Sequence, residues 1–426
     1  MPTLAAKTLG CKVNAYDTEA MVELLEKDGY TLVPFSQDAD VYLINTCTVT
    51  GTGDGKSLKL IRRVHREHPG AAIIAAGCLA QRDPQLVRLP GVKLVIGAQR
   101  RGEVAGLLKR ALMSDETLDA TAPLKNAPFE QLNVVRHEGK TRAVMKIQEG
   151  CNRYCSYCII PFVRGPVRSM PLCAVEKEAK RLADAGYREI VLTGIHLMSY
   201  GLDTGESLLD AISLTAGAVP RVRLGSLEPK GISNEFARAL SQIPGVCAQF
   251  HLSLQSGSDA VLKRMNRRYS AEDYLAACRT LREAFPGCAI TTDIIVGFPG
   301  ETEEEFQQTL AFAREARLAR LHVFPYSRRS GTVADRLPGQ VSEQLKKQRA
   351  ERLIALGEEL ETAFCRESVG QIRPVLFETS CEDGLTEGYT DTYVRVRAKA
   401  EAGSVLSVCI ARAEGSLCFG EIVNRA

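Results

Sequence analysis

The chain has no tryptophan, and aromatic residues fill only 6% of its 426 positions, so Phe and Tyr carry all the aromatic packing. No charge sign dominates either. Its 54 Lys and Arg against 51 Asp and Glu leave a formal +3, so bulk charge announces no nucleic acid. No stretch approaches the ~18 uninterrupted apolar residues of a membrane span. The opening MPTLAAKTLGCKVN lacks a basic flank ahead of a long apolar run, which argues against a secretory signal. Collagen-like glycine periods, glutamine tracts and heptads are also missing. What is left is a globular chain, expected in the cytoplasm with no membrane attachment, where thiols stay reduced. Its 45% hydrophobic and 25% charged residues are ordinary for that class. The length suits about three domains.

Cysteine is what the chain does have. Its 14 Cys fall well short of the ~8–10% of a disulfide scaffold. In a reduced compartment, clustered Cys read as metal ligands or catalysts.

Three grammars follow one another along the sequence. Residues 1–99 alternate short β-rich runs with helical ones. DVYLINTCTV (Asp40 to Val49) and AAIIAAGCLA (Ala71 to Ala80) have the apolar continuity of buried strands. SLKLIRRVHREHPG, between them, has helical spacing that stops at Pro69-Gly70. YDTEAMVELLEKDGY predicts a helix capped by Asp17 or Thr18 and stopped at Gly29. That is βαβ grammar, an α/β fold with a small parallel sheet. Cys11, Cys47 and Cys78 each follow a predicted strand, at the edge where open α/β sheets bind ligands. Residues 100–138 are charged and loop-like, and read as a linker with one helix.

Residues 139–366 carry six strand candidates: RAVMKIQEG, REIVLTGI, RVRLGSL, QFHLSLQSG, AITTDIIVGF and RLHVFPYS. Helical runs separate them, which predicts a partial or full (β/α) barrel with its site at the C-terminal strand ends. A helix from Ser342 to about Phe364 ends this domain. Residues 367–426 are short strands with Gly turns, predicting a small β-barrel.

CNRYCSYC places Cys151, Cys155 and Cys158 in the spacing C-x3-C-x2-C, directly after a predicted strand. Three thiolates this close can hold three irons of one [4Fe–4S] cluster and leave the fourth iron open. Structural zinc needs a fourth ligand, and no other Cys or His lies nearby. Incidental core cysteines rarely cluster in this way. Taken alone, Cys11, Cys47 and Cys78 read equally well as small buried residues near turns. Cys173, Cys247, Cys278, Cys288, Cys365, Cys381, Cys409 and Cys418 are scattered, mostly in apolar patterns, and read as buried filler. His196 and His251 read as packing or supporting residues. TGTGDGKS nearly spells a phosphate-binding loop, but the position five before Gly55 is Thr50 and the loop already carries Cys47. Nucleotide binding there is rejected.

CNRYCSYC, with Tyr157 directly before its last Cys, resembles the signature of radical S-adenosylmethionine (SAM) enzymes. The resemblance implies that the open iron chelates SAM and that a cluster electron cleaves it to a 5′-deoxyadenosyl radical. LTGIH (Leu192 to His196), HLSLQSGS (His251 to Ser258) and TDIIVGFPGE (Thr292 to Glu301) are similar to that family's SAM-pocket segments. They imply cofactor contacts from Tyr157, Thr193, Gly194, Ser253, Gln255, Asp293 and Gly297. KTLGCKVN, INTCTV and AAGCLAQ resemble the three-Cys domain of methylthiotransferases. That implies a second [4Fe–4S] cluster on Cys11, Cys47 and Cys78, an electron donor such as flavodoxin or ferredoxin, and attachment of a methylthio group to an unactivated carbon. No catalytic residue is assigned beyond the cluster ligands.

The final barrel is similar to the TRAM module, an RNA-binding barrel. KTLGCKVN with Lys12, FHLSLQSGS with Ser253, and HVFPYSRRSGT look like the branch acting on N6-threonylcarbamoyladenosine. That branch modifies C2 of the adenosine beside the tRNA anticodon, at position 37. Isopentenyladenosine in tRNA and a ribosomal protein are the alternative substrates. A non-catalytic RNA-binding protein with structural metal sites is the alternative of another class.

From Glu367 to Ala426, six Lys and Arg meet nine Asp and Glu, so the barrel is not a uniformly basic phosphate surface. Basic residues gather instead in KSLKLIRRVHR (Lys56 to Arg66), LKRMNRRY (Leu262 to Tyr269) and SRRSG (Ser327 to Gly331), with a stripe of Arg395, Arg397 and Lys399. Solvated helix faces give such runs too. LKRMNRRY follows a SAM-pocket strand, which makes Lys263, Arg264, Arg267 and Arg268 the candidate clamp on anticodon-loop phosphates.

Overall fold

The computed structural model describes residues 1–134 and 141–423. The end of the expected linker (135–138), the first two residues of the expected central domain, and 424–426 lie outside the described residues.

The first domain is a parallel sheet in the order β2-β1-β3-β4-β5-β6. Its strands are β1 (Thr3–Thr8), β2 (Thr31–Val33), β3 (Val41–Thr46), β4 (Ala72–Gly77), β5 (Val92–Ile96) and β6 (Leu118–Asp119). β3 and β4 are buried at all six positions, because helices cover both faces of a parallel sheet. Successive side chains therefore serve two different cores. Leu43 and Ile74 pack with Met21 and Leu107 on one face. Ile44 and Ile73 pack with Ile61 and Val64 on the other.

Three local expectations change. Helix α1 runs Lys12–Lys27 with Cys11 as its N-cap, so neither Asp17 nor Thr18 caps it. Both are buried inside the helix, and the true cap makes no side-chain hydrogen bond that a capping pattern could reveal. Helix α2 starts at Gly51 and runs to Glu67, with the Thr50 hydroxyl accepting from the Gly53 amide. TGTGDGKS, expected as a loop ahead of the helix, thus forms its cap and first turns, in keeping with the rejection of a phosphate loop there. Beyond residue 99, the helix Val104–Leu112 buries Leu107 and Leu108 in the first core, and β6 completes the sheet.

The central domain has the six strands expected: Arg142–Lys146, Glu189–Thr193, Arg221–Leu224, Gln249–His251, Ala289–Val296 and Arg320–Pro325. They form two parallel three-stranded sheets, linked by parallel bridges at Val222–Val246 and Leu227–Leu252. The result is an open, partial (β/α) barrel around Phe250, Ile290, Ile294 and Phe306. Capping boxes, Ser270 with Asp273 and Thr302 with Glu305, start the helices Ala271–Ala284 and Glu303–Glu315. Each cap contributes about 1 kcal/mol.

Ser342 caps the long helix Glu343–Glu367, which leads to a closed five-stranded barrel around Phe377, Val396 and Ile410. This barrel sits on the N-terminal strand ends of the central domain. Arg221 donates to the Pro374 carbonyl at 2.9 Å and Arg223 to that of Thr390 at 3.1 Å. Arg142 pairs with Glu378 at 2.7 Å and lies over the Tyr389 and Tyr393 rings. Among the described residues, no helix is long and apolar enough to cross a membrane.

Candidate active site between two cysteine triads

Cys11, Cys47 and Cys78 stand at the C-terminal ends of β1, β3 and β4, three adjacent strands. The strand order reverses between β1 and β3, the topological switch where such sheets bind ligands. Gly10 has a φ of +109°, and a Cβ there would lie 3.0 Å from the Cys47 sulfur and 3.1 Å from Asn14 Nδ2. Any larger residue would intrude beside the thiol. Cys47 and Cys78 are buried and Cys11 is exposed. Burial pushes the Cys78 thiol up to about 11, against the opposing pull of Arg164.

Cys151, Cys155 and Cys158 occupy a loop tied down by backbone bonds. The Cys151 amide donates to the Gly165 carbonyl at 3.0 Å, and the Cys158 amide to that of Cys155 at 2.9 Å. Burial, reinforced by the neighbouring Cys155 and Cys151, pushes the Cys158 thiol up to about 12. Metal binding at such thiols must displace their protons. Arg267 Nη1 donates to the Cys155 sulfur at 3.2 Å.

Among the described residues, no three His, Cys, Asp or Glu side chains converge closely enough to ligate one metal ion. A cubane cluster takes its thiolates at separate iron corners. Thiol-only donors, the side-chain-free space at Gly10, and an Arg on one sulfur of each triad all fit such a group.

The two triads touch through one segment. Ile159 and Val163, just beyond Cys158, pack against Cys78. Arg164 follows and donates its Nε–H to the Cys78 sulfur at 3.2 Å. Behind it lies a buried ionic cluster: Asp17 holds Lys146 at 2.6 Å and Arg164 at 2.8 Å, and also pairs with Arg101. Glu149 takes Arg101 at 3.0 Å and Lys146 at 3.1 Å. Burial opposes the Asp17 charge, yet Arg101, Lys146 and Arg164 hold the carboxyl below its ordinary value.

The residues implied at SAM lie around the C-terminal strand ends. Thr193 and Gly194 end the strand Glu189–Thr193, with Gly194 packed on Gln148. Tyr157 meets Phe298 edge-on at 6.3 Å between centroids, and burial keeps its phenol protonated. Gln255 has a φ of +71° and exchanges backbone bonds of 2.9 Å with Asp293 and Ile295. Non-Gly residues held in that region cluster at functional sites. The Ser253 carbonyl accepts from Tyr269, and Asp293 stands 3.3 Å from His251 Nε2. Gly297, with φ of +70°, leaves space that Lys346 fills.

The proposed phosphate clamp divides. Arg264 is committed to Glu305 at 2.6 Å and Arg267 to Cys155, because both turn inward from the helix end. Lys263 and Arg268 are exposed. In SRRSG, Arg329 is buried against Asp54 and Arg328 pairs with Asp335. Arg397 is neutralised by Glu387 and Asp383. On α2, Lys56, Lys59, Arg62, Arg63 and Arg66 are all exposed, with Arg63 and Arg66 paired to Glu67. Of the eight remaining cysteines, Cys173 is exposed and Cys381 and Cys409 are half-buried; the other five are buried.

The sequence reading passed over Glu228. It lies beyond the strand Arg221–Leu224, paired with Arg153 and 3.3 Å from His196 Nε2. An acid just past a barrel strand was the available signal.

Comparison with known proteins agrees with this geometry. Residues 145–313 match the radical SAM superfamily and residues 3–97 match the "Uncharacterized protein family UPF0004". The threonylcarbamoyladenosine tRNA methylthiotransferase MtaB of Bacillus subtilis is 42% identical, covering all of this chain and 97% of the relative. The chain belongs to the radical SAM methylthiotransferase family. The MtaB of Thermotoga maritima is 36% identical over 93% of this chain and 91% of its own. A tRNA-2-methylthio-N(6)-dimethylallyladenosine synthase from Pelotomaculum thermopropionicum is 36% identical over 88% of this chain and 86% of its own. Among solved structures, the radical SAM methyltransferase TsrM of Kitasatospora setae shares the fold, at TM-score 0.58 and 16% identity. The match covers 78% of this chain and 77% of that one. In this methylthiotransferase, the matched radical SAM region holds Cys151, Cys155 and Cys158, and the UPF0004 region holds Cys11, Cys47 and Cys78.

Proposed function

We propose that this enzyme attaches a methylthio group to C2 of N6-threonylcarbamoyladenosine at tRNA position 37, in the cytoplasm. The observation that carries the reading is the segment from Cys158 to Arg164, which begins on one triad and ends on Cys78 of the other. Two sites of complementary chemistry then face one substrate. A [4Fe–4S] cluster and SAM at Cys151, Cys155 and Cys158 would supply the radical, with a flavodoxin or ferredoxin as electron source, and a cluster at Cys11, Cys47 and Cys78 would supply the sulfur. The protein's own part is to bind, orient and exclude water. Tyr157, Thr193, Gly194, Ser253, Gln255, Asp293 and Gly297 shape the cofactor end. Anticodon-loop bases are the nucleotides most readily splayed from their stack, and the exposed Lys263, Arg268 and basic face of α2 would hold their phosphates.

Full-length relatedness to MtaB enzymes supports threonylcarbamoyladenosine over isopentenyladenosine as substrate. Nucleoside mass spectrometry of tRNA from cells lacking the gene tests the choice. Loss of the methylthio group from threonylcarbamoyladenosine alone supports it. Loss from the isopentenyl nucleoside instead overturns it.

A further inference from the structure

Resting on the two-cluster reading, we propose that Arg164 is a positioning residue for the Cys11/Cys47/Cys78 site, sent from the radical SAM domain to place a positive charge on the Cys78 sulfur. Its side chain is 1% exposed. Nη1 is committed to Asp17 and Glu149, and Nη2 to the Asn14 side-chain oxygen. Nε is left aimed at sulfur. The guanidinium is a rigid planar fork, so fixing its two ends fixes the third donor as well.

Charge counting points the same way. Around this spot Arg101, Lys146, Arg164 and Arg168 are buried, while the acids are Asp17, Glu149 and the less buried Glu130. Among the described residues, four cations meet three carboxylates. Arg168 leaves Nε and Nη1 buried without a hydrogen-bond partner among the described residues, although its Nη2 donates to the Arg164 carbonyl. An uncompensated buried cation is costly, so the site calls for one further negative charge. A [4Fe–4S]2+ core on three thiolates carries a net charge of −1, and Cys78 is the thiol that this cluster of cations touches. Such a cluster would balance the excess charge of these buried side chains.

The arrangement has a redox consequence. A cationic hydrogen-bond donor on a ligand sulfur favours the more negative, reduced state of a cluster and raises its potential. Arg164 also lies six residues beyond Cys158, joined to it by the single turn Ile160–Val163. The same segment that positions one triad thus sets the electrostatics of the other.

The test uses the full chain with Cys151, Cys155 and Cys158 all changed to Ala, loaded anaerobically with iron and sulfide. Iron analysis and a redox titration followed by electron paramagnetic resonance are the readouts. One cluster per chain is expected in this parent. In Arg164→Gln the midpoint potential should fall by at least a tenfold change in the one-electron equilibrium, ~59 mV. Arg164→Lys retains the buried charge but cannot hold the Nε contact, and a smaller fall is expected. If Arg164→Gln does not fold, Arg164→Lys decides alone. Unchanged potentials in loaded variants overturn the role of Arg164. Absence of iron in the parent overturns the two-cluster reading itself.

Discussion

Arg329 pairs with Asp54 at 2.6 Å and is 3% exposed. The contact joins the segment after the last central strand to the first turns of α2, just beyond Cys47. Arg82 shares the same carboxylate at 2.9 Å, and the Ser327 hydroxyl accepts from the Gly51 amide at 3.1 Å. At this point an ion pair and a hydrogen bond join the two cysteine-bearing domains.

Removing Arg329 should therefore act on stability. Arg329→Ala leaves Asp54 with Arg82 and the Thr48 hydroxyl in a mostly buried site, at a cost of about 2 kcal/mol. Urea denaturation should show a lower midpoint, and limited proteolysis faster cleavage between the domains. A variant as stable as the parent would show that the pair contributes nothing.

tRNA binding should depend on different cations. Lys263 and Arg268 are exposed, whereas Arg264 and Arg267 are engaged within the protein. Changing Lys263 and Arg268 together to Ala should weaken tRNA binding across sequences and lower the salt slope by about 2. Binding with an unaltered slope would remove both from the interface.

Acid should loosen the seat of the C-terminal barrel. Glu189 is buried between Arg221 and Arg223, 2.8 Å from each. Burial alone would raise its pKa, but Arg223 and Arg221 bring it down from 4.5 to about 2. The folded value lies below the unfolded one, so the stabilisation is complete above about pH 4.5 and is lost as pH falls toward 2. At neutral pH it amounts to about 3 kcal/mol. Denaturation measured against pH should show Glu189→Gln losing that dependence, and the gap to the parent narrowing in acid. A constant gap would contradict the assignment.

The fold was largely legible because its signals are local. Apolar runs marked β3, β4 and the six central strands, and the C-x3-C-x2-C spacing marked one triad, whereas Cys11, Cys47 and Cys78 were marked by their place after strands together with the family resemblance. The misreadings came from long-range burial. Asp17 looks like a cap in sequence, but its partners Arg101, Lys146 and Arg164 are all more than eighty residues away. Arg264, Arg267 and Arg329 look like a nucleic-acid surface until folding supplies Glu305, Cys155 and Asp54. The acidic C-terminal barrel has the same explanation. Glu378 and the backbone carbonyls near Thr390 receive arginines from the central domain, so part of its charge serves docking.

The central claim is that the two triads divide the labour. Reconstituted parent, Cys11→Ala and Cys151→Ala proteins should be incubated with SAM, a reductant and tRNA bearing N6-threonylcarbamoyladenosine. Mass spectrometry would then follow 5′-deoxyadenosine and the modified nucleoside together. The parent should form both, Cys11→Ala should form 5′-deoxyadenosine without methylthiolated nucleoside, and Cys151→Ala should form neither. Methylthiolated nucleoside from Cys11→Ala would contradict the account.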